Sequence, residues 1–205
     1  MILYAFITCQ ARISGCYDRI VSMMTEKKIS DYIIVLGGGI VDSYDPITRI
    51  LHLACQDTYE GLADKIISMF CYIKNHREFD QYQYICKVDE DMIVQAPLNP
   101  TDLSDYCGFV QRHPGNPYWH IGRCSPDSPH NTRPYQGPYV PWCLGGHGYV
   151  VSKNAVFMLA NDIYRKEAKD EIFEDVYVGR VLKSHGIEPR DILNFRSFVY
   201  SPEHT

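Results

Sequence analysis

The sequence predicts an α/β fold with a mixed, mostly parallel central sheet flanked by helices. Three features carry this expectation. Unbroken apolar runs at Ile2–Ile7 and Tyr32–Leu36 have strand length and read as strands buried on both faces. A clearly amphipathic helix spans 61–76, with Leu62, Ile66, Met69, Phe70 and Ile73 at helical spacing. The order strand, helix, strand, helix is the alternation that parallel βα units produce.

Taken in order, residues 2–7 form the first strand, 8–14 a polar turn and 15–26 a helix. The second strand ends at Gly37, Gly38 and Gly39, and a third is expected near 50–54. After the 61–76 helix, residues 82–88 read as a strand that stops at Asp89. Residues 112–142 hold seven prolines (Pro114, Pro117, Pro126, Pro129, Pro134, Pro138 and Pro141), so a long irregular excursion is expected there. A short strand at 149–151, one helix over 154–164 and another over 173–184 complete the pattern, and 192–205 is weakly patterned. No internal repeat or domain boundary is visible, so the expectation is one domain over 1–205.

Composition narrows the function classes. The formal charge is −5 and hydrophobic residues make up 45%, which suits a globular chain and not a nucleic-acid surface. No run approaches the roughly 20 apolar residues of a membrane span, and the apolar N-terminal run lacks a basic leader. None of the eight cysteines forms a Cys-x-x-Cys pair, so structural zinc is not expected and reduced thiols are. A soluble, cytoplasmic protein is the expectation.

The chemistry is expected at Lys87-Val88-Asp89-Glu90-Asp91. In open α/β sheets ligands bind outside the carboxyl ends of strands. Alternation puts Asp89 and Asp91 on one side, where two carboxylates repel unless a cation joins them. Hard oxygen ligands suit Mn²⁺ or Mg²⁺ with phosphate oxygens completing the shell, which fits a diphosphate leaving group. An Asp-x-Asp turn is also an ordinary solvated strand end, so the motif needs companions.

Three companions stand in order along the chain. Asp57-Thr58-Tyr59-Glu60-Gly61-Leu62-Ala63-Asp64-Lys65 precedes the acidic strand. Gly145-Gly146-His147-Gly148-Tyr149 follows the long excursion, and Glu174-Asp175-Val176-Tyr177-Val178-Gly179 comes last. With these the sequence resembles the β-1,3-galactosyltransferase, Fringe and core-1 synthase family of inverting glycosyltransferases, over roughly residues 1–190. Its departures are Gly61 and Ala63 where the family has Asn and Thr, and His147 where a small residue is usual.

The resemblance implies a GT-A fold, a nucleotide-sugar donor such as a UDP-sugar, a carbohydrate acceptor and Mn²⁺ or Mg²⁺. It implies Asp175 as the base that takes the acceptor proton, with Glu174 in reserve. It implies a donor site of Thr8, Arg12, Lys65, Asp89, Glu90, Asp91, Gly145 and Gly146, with Lys65 balancing carboxylates. Metal ligands would be Asp91 and Asp89, with His204 as a third by analogy with GT-A folds. Each has a plainer reading: Lys65 and Arg12 as surface charges, the glycines as a tight turn, Asp175 as an acidic helix start. Tyr118, Trp119, Tyr135, Tyr139 and Trp142 either stack on sugars or pack the long loop. Two rivals remain. One is a haloacid-dehalogenase-type phosphohydrolase with Asp89 as nucleophile, and the other a non-catalytic sugar-nucleotide-binding module.

Overall fold

Strand β1 (Ile2–Ile7) sends Leu3, Ala5 and Ile7 into one apolar cluster and Ile2, Tyr4 and Phe6 into another. Side chains alternate across a strand, so an unbroken apolar run is what a strand covered on both faces requires. The computed structural model describes residues 1–192 and the backbone of 198–200. Helix α1 (Ile13–Glu26) covers the second face, through Cys16, Ile20, Met23 and Met24. Strand β2 (Tyr32–Leu36) repeats the alternation, and the short strands β3 (Ser43–Asp45) and β4 (Ile50–His52) follow it. Helix α2 (Leu62–Asn75) then covers the first face with Ala63, Ile66, Ile67, Met69, Phe70 and Ile73.

Strand β5 (Tyr84–Asp89) returns to the sheet centre and turns into β6 (Met92–Val94). Next come β7 (Tyr106–Gly108) and β8 (Val110–Gln111), which pairs with β9 (Trp142–Cys143) across the long excursion. Strand β10 (Tyr149–Ser152) is followed by helices α3 (Lys153–Leu159), α4 (Asp162–Ala168) and α5 (Glu174–Ser184). The described chain closes with β11 (Arg190–Asp191) and β12 (Phe198–Tyr200), the latter paired to β6.

The main sheet runs β11-β7-β10-β5-β1-β2-β4-β3. Neighbours β11/β7, β5/β1, β1/β2 and β2/β4 are parallel, and β7/β10, β10/β5 and β3/β4 are antiparallel. The sheet is thus mixed and mostly parallel, as the sequence predicts. The chain leaves β1 for β2 on one side and later returns to β5 on the other, so the winding reverses between β1 and β5. There the register places Ile7 beside Asp89. A reversal of this kind opens a crevice at the carboxyl ends of the two strands.

One expectation needs correcting. The single helix predicted over 154–164 is two helices. Ala160 leaves helical geometry (φ −78°, ψ 75°), and Asn161 becomes the cap of α4, its side chain accepting the Ile163 amide at 2.8 Å. Asn favours that role because its short amide competes for backbone donors. The apolar spacing does not register a break where hydrophobic residues continue on both sides.

Candidate active site at the strand reversal

At the end of β5, Lys87 and Asp89 share the face that carries α2, α3 and α5, while Cys86 and Val88 face α1. The Glu90 amide donates to the Ile7 carbonyl at 3.1 Å, which carries the β1–β5 contact one residue into the turn. The Glu90 side chain pairs with Arg12 at 2.5 Å, and its carbonyl accepts from Arg19. Glu90 is therefore tied to α1. Asp89 is bound to Lys87, with Nζ 2.6 Å from its Oδ1. Asp91 is partly buried at the turn.

Lys87 is 1% exposed and surrounded by acceptors: the Gly145 carbonyl at 3.0 Å and Glu174 Oε2 at 3.5 Å besides Asp89. Burial lowers the Lys87 pKa, but the Asp89 and Glu174 carboxylates outweigh it and raise it. Glu174 is 4% exposed, hydrogen-bonded to the Tyr149 hydroxyl. Burial pushes its carboxyl up to about 7 against the pull of Lys87, with nearby Asp175 adding to the rise. Asp175 keeps part of its surface open. Its Oδ2 accepts the Gly145 amide at 2.8 Å and the Trp142 indole N–H at 3.2 Å, and its Oδ1 accepts the Val176 amide at 2.8 Å. Burial raises the Asp175 pKa against those donors and Lys87. A carboxylate oriented by three N–H groups and moved toward greater basicity suits proton abstraction.

Two glycines make this packing possible. A Cβ on Gly145 would lie 2.8 Å from Glu174 Oε2 and 3.2 Å from Asp175 Cβ. A Cβ on Gly179 would lie 2.7 Å from Trp142 Cβ, so α5 approaches β9 only because that position is bare. Gly145 thus admits the acidic helix start. Gly146 is partly buried in the same turn, and His147 stacks on Phe109 with ring centroids 5.2 Å apart.

On the other side of the reversal, Lys65 is 3% exposed and pairs with Asp57 at 2.6 Å, while its Nζ also donates to the Thr8 carbonyl at 2.9 Å. Asp57 in turn accepts the Gln10 amide at 2.6 Å and the Gly37 amide at 2.8 Å. Burial acts to raise its pKa, but Lys65 and these amides outweigh that and hold it below the ordinary value. The expectation that Lys65 balances Asp89 and Asp91 is corrected: its carboxylate is Asp57, and the pair ties the ends of β1, β2 and α2 together. Thr8, at the end of β1, is buried, with its hydroxyl 3.5 Å from Cys16 Sγ. Arg12 stays 62% exposed beyond its pairing with Glu90.

Among the described residues no group of three or more His, Cys, Asp or Glu side chains is placed to hold a metal. The third ligand expected at His204 lies outside the described residues. The acidic turn carries the carboxylates of Asp91 and of Asp89, one oxygen of the latter lying on Lys87. A donor set of one or two carboxylates is what Mg²⁺ or Mn²⁺ uses when phosphate oxygens and water fill the other positions.

The loop-packing reading holds for three of the aromatic residues of the excursion. Tyr135, Tyr139 and Trp142 pack with Phe173 and Val176 and fasten the loop to α5. Tyr118 and Trp119 are exposed, with Arg123 over the Trp119 ring. All eight cysteines are free thiols, and no helix of the described residues is long and apolar enough to cross a membrane. Lys87 and Tyr149 were not singled out as site residues from sequence, and Trp142 was considered for sugar stacking or loop packing but not as a partner of Asp175. The available signal was a lysine inside an otherwise apolar strand, two residues before Asp89.

The galactosyltransferase family model matches residues 48–192, a span that holds Asp57, Lys65, Lys87, the acidic turn, Gly145 and Asp175. No curated protein matches the chain.

Proposed function

As the chain belongs to the galactosyltransferase family and is a glycosyltransferase, we propose a divalent-cation-dependent, inverting transfer of a sugar from a UDP-sugar to a carbohydrate hydroxyl on a GT-A fold. The observation that carries the reading is the meeting of two acidic segments at the strand reversal. The turn 89–91 lies at the end of β5, and Asp175 opens α5 on the same face of the sheet, held by Gly145 and Trp142.

Asp175 takes the proton of the acceptor hydroxyl. The acceptor oxygen forms a bond to the anomeric carbon as the bond from that carbon to the phosphate oxygen breaks, and UDP departs with the electron pair. Asp91, with the second oxygen of Asp89, is the protein's contribution to a divalent cation. When bound, such a cation neutralises charge on the departing diphosphate. Glu174 is too enclosed to meet an acceptor and shapes the Lys87 pocket instead. The family match over residues 48–192 favours sugar transfer over the phosphohydrolase alternative.

Calorimetric titration of UDP with Mn²⁺, and again with chelator, tests the reading. Metal-dependent binding that disappears in Asp91→Ala supports it, and product analysis across a panel of UDP-sugars then identifies the donor. A folded sample that binds no UDP under any metal condition would end the UDP-donor assignment.

A further inference from the structure

We propose that Lys87 is a positioning residue that holds the donor-side carboxylate of Asp89 and the acceptor-side carboxylate of Asp175 in one fixed relation. An ammonium has three N–H donors, and here three acceptors surround Nζ: Asp89 Oδ1 at 2.6 Å, the Gly145 carbonyl at 3.0 Å and Glu174 Oε2 at 3.5 Å. The acceptors come from three segments far apart in the chain: the end of β5, the turn before β10 and the start of α5. Gly145 continues the connection, because its amide donates to Asp175 Oδ2 at 2.8 Å. The sequence of contacts is Asp89, Lys87 ammonium, Gly145 carbonyl and amide, Asp175. A single buried cation thereby sets the rotamer of Asp89 and the seat of the turn that aims Asp175.

A buried ion pair is a weak source of net stability, since desolvation offsets the attraction. Its value in this place is geometric. Asp89 and Asp175 have to act on opposite ends of one displacement, and misplacement of either by about 1 Å costs on the order of 10²-fold in rate. Lys87 touches no reacting atom under the proposed mechanism, so its effect runs through the residues it orients. The inference rests on the donor reading above for its kinetic consequence and on the hydrogen-bond geometry for its structural one.

The test uses Lys87→Met combined with Glu174→Gln, which removes the cation together with one of its charges. A purely charge-balancing lysine predicts that this pair restores both folding and function. The positioning role predicts a folded protein whose affinity for UDP with Mn²⁺ falls about 10–100-fold, as loss of an orienting partner does at metal sites, with kcat lowered as well. Amide hydrogen exchange across 144–148 is expected to quicken, because the carbonyl anchor is gone. Wild-type affinity, turnover and exchange in the double variant would overturn the proposal. Should the double variant not fold, Lys87→Arg decides. Its charge is kept but its planar donors cannot reproduce the three-way arrangement, so reduced affinity and kcat are expected, and wild-type values for both would overturn the proposal. If the wild-type protein itself binds no UDP, the donor reading fails. The exchange measurement then judges Lys87 alone, with unchanged protection of 144–148 counting against it.

Discussion

Substituting Gly145 by Ala tests the packing on which the site depends. The new Cβ would sit 2.8 Å from Glu174 Oε2, whereas ordinary contact begins at 3.4 Å, a shortfall of 0.6 Å (3.4 − 2.8). It would also lie 3.2 Å from Asp175 Cβ, which is tight. The Glu174 carboxyl is not a loose end that can swing aside, because Tyr149 and Lys87 hold it and the residue is 4% exposed. The start of α5 or the turn has to retreat. Gly145 does not adopt a left-handed φ, so the cost is steric and not one of backbone strain. Overpacking of this kind destabilises by about 1–3 kcal/mol. For a chain of this size each kcal/mol lowers Tm by about 2–4 °C. The retreat also moves Asp175, and a displacement approaching 1 Å lowers kcat by on the order of 10²-fold. Thermal unfolding followed by circular dichroism, with initial rates of sugar transfer, reads both effects. A melting temperature and a rate both equal to wild type would show that the acidic helix start does not depend on the bare position.

Other perturbations have equally definite outcomes. Asp175→Asn keeps the shape of the side chain and removes the proposed base, so kcat is expected to fall by about 10²–10⁴-fold while calorimetric UDP affinity stays near wild type. Lys65→Met leaves the partly buried Asp57 without its cation but with its two amide donors, and chemical denaturation should show a loss of about 1–3 kcal/mol. The folded pKa of Asp57 lies below its ordinary value of 3.8, so its stabilisation is complete above that range and is lost as the pH falls through it. Asp57→Asn should accordingly flatten the acid limb of a Tm-against-pH curve. Glu174 has the opposite sign: its carboxyl rises from 4.5 to about 7 on folding, so its contribution declines as pH climbs between those values. Replacing it by Gln should remove that decline in the same melting series. Gly15 lies in α1 with nothing within 4 Å of a new Cβ, and Gly15→Ala should raise stability by about 0.4–1 kcal/mol in denaturant titrations.

Much of the architecture was readable because its signals are local. The runs at β1 and β2, the period of α2 and the strand before Asp89 are statements about neighbouring residues and the faces they bury. The α3–α4 break was missed because apolar spacing continues across it, while capping by Asn161 overrides the period. The short strands β7, β8, β9 and β11 carry too few residues for a pattern and exist through partners elsewhere in the chain. Within the site, the acidic turn and the Glu174–Asp175 pair were visible as motifs. Lys65 was misassigned among the carboxylates because sequence gives a lysine's charge but not its partner, and Asp57 lies eight residues before it.

The sequence by itself therefore determined the long strands and helices and displayed the acidic motifs. Those properties reside in side-chain type and in periods of two or 3.6 residues. Only the tertiary structure decided that the winding reverses between β1 and β5, and that Lys87, Gly145 and Glu174 converge there. It also decided that Glu174 is buried while Asp175 is only partly so. Contacts across 58 or 87 residues of chain, as from Lys87 to Gly145 and to Glu174, are set by how the sheet closes. No local spacing encodes that closure, because it depends on the sum of packing across the whole core.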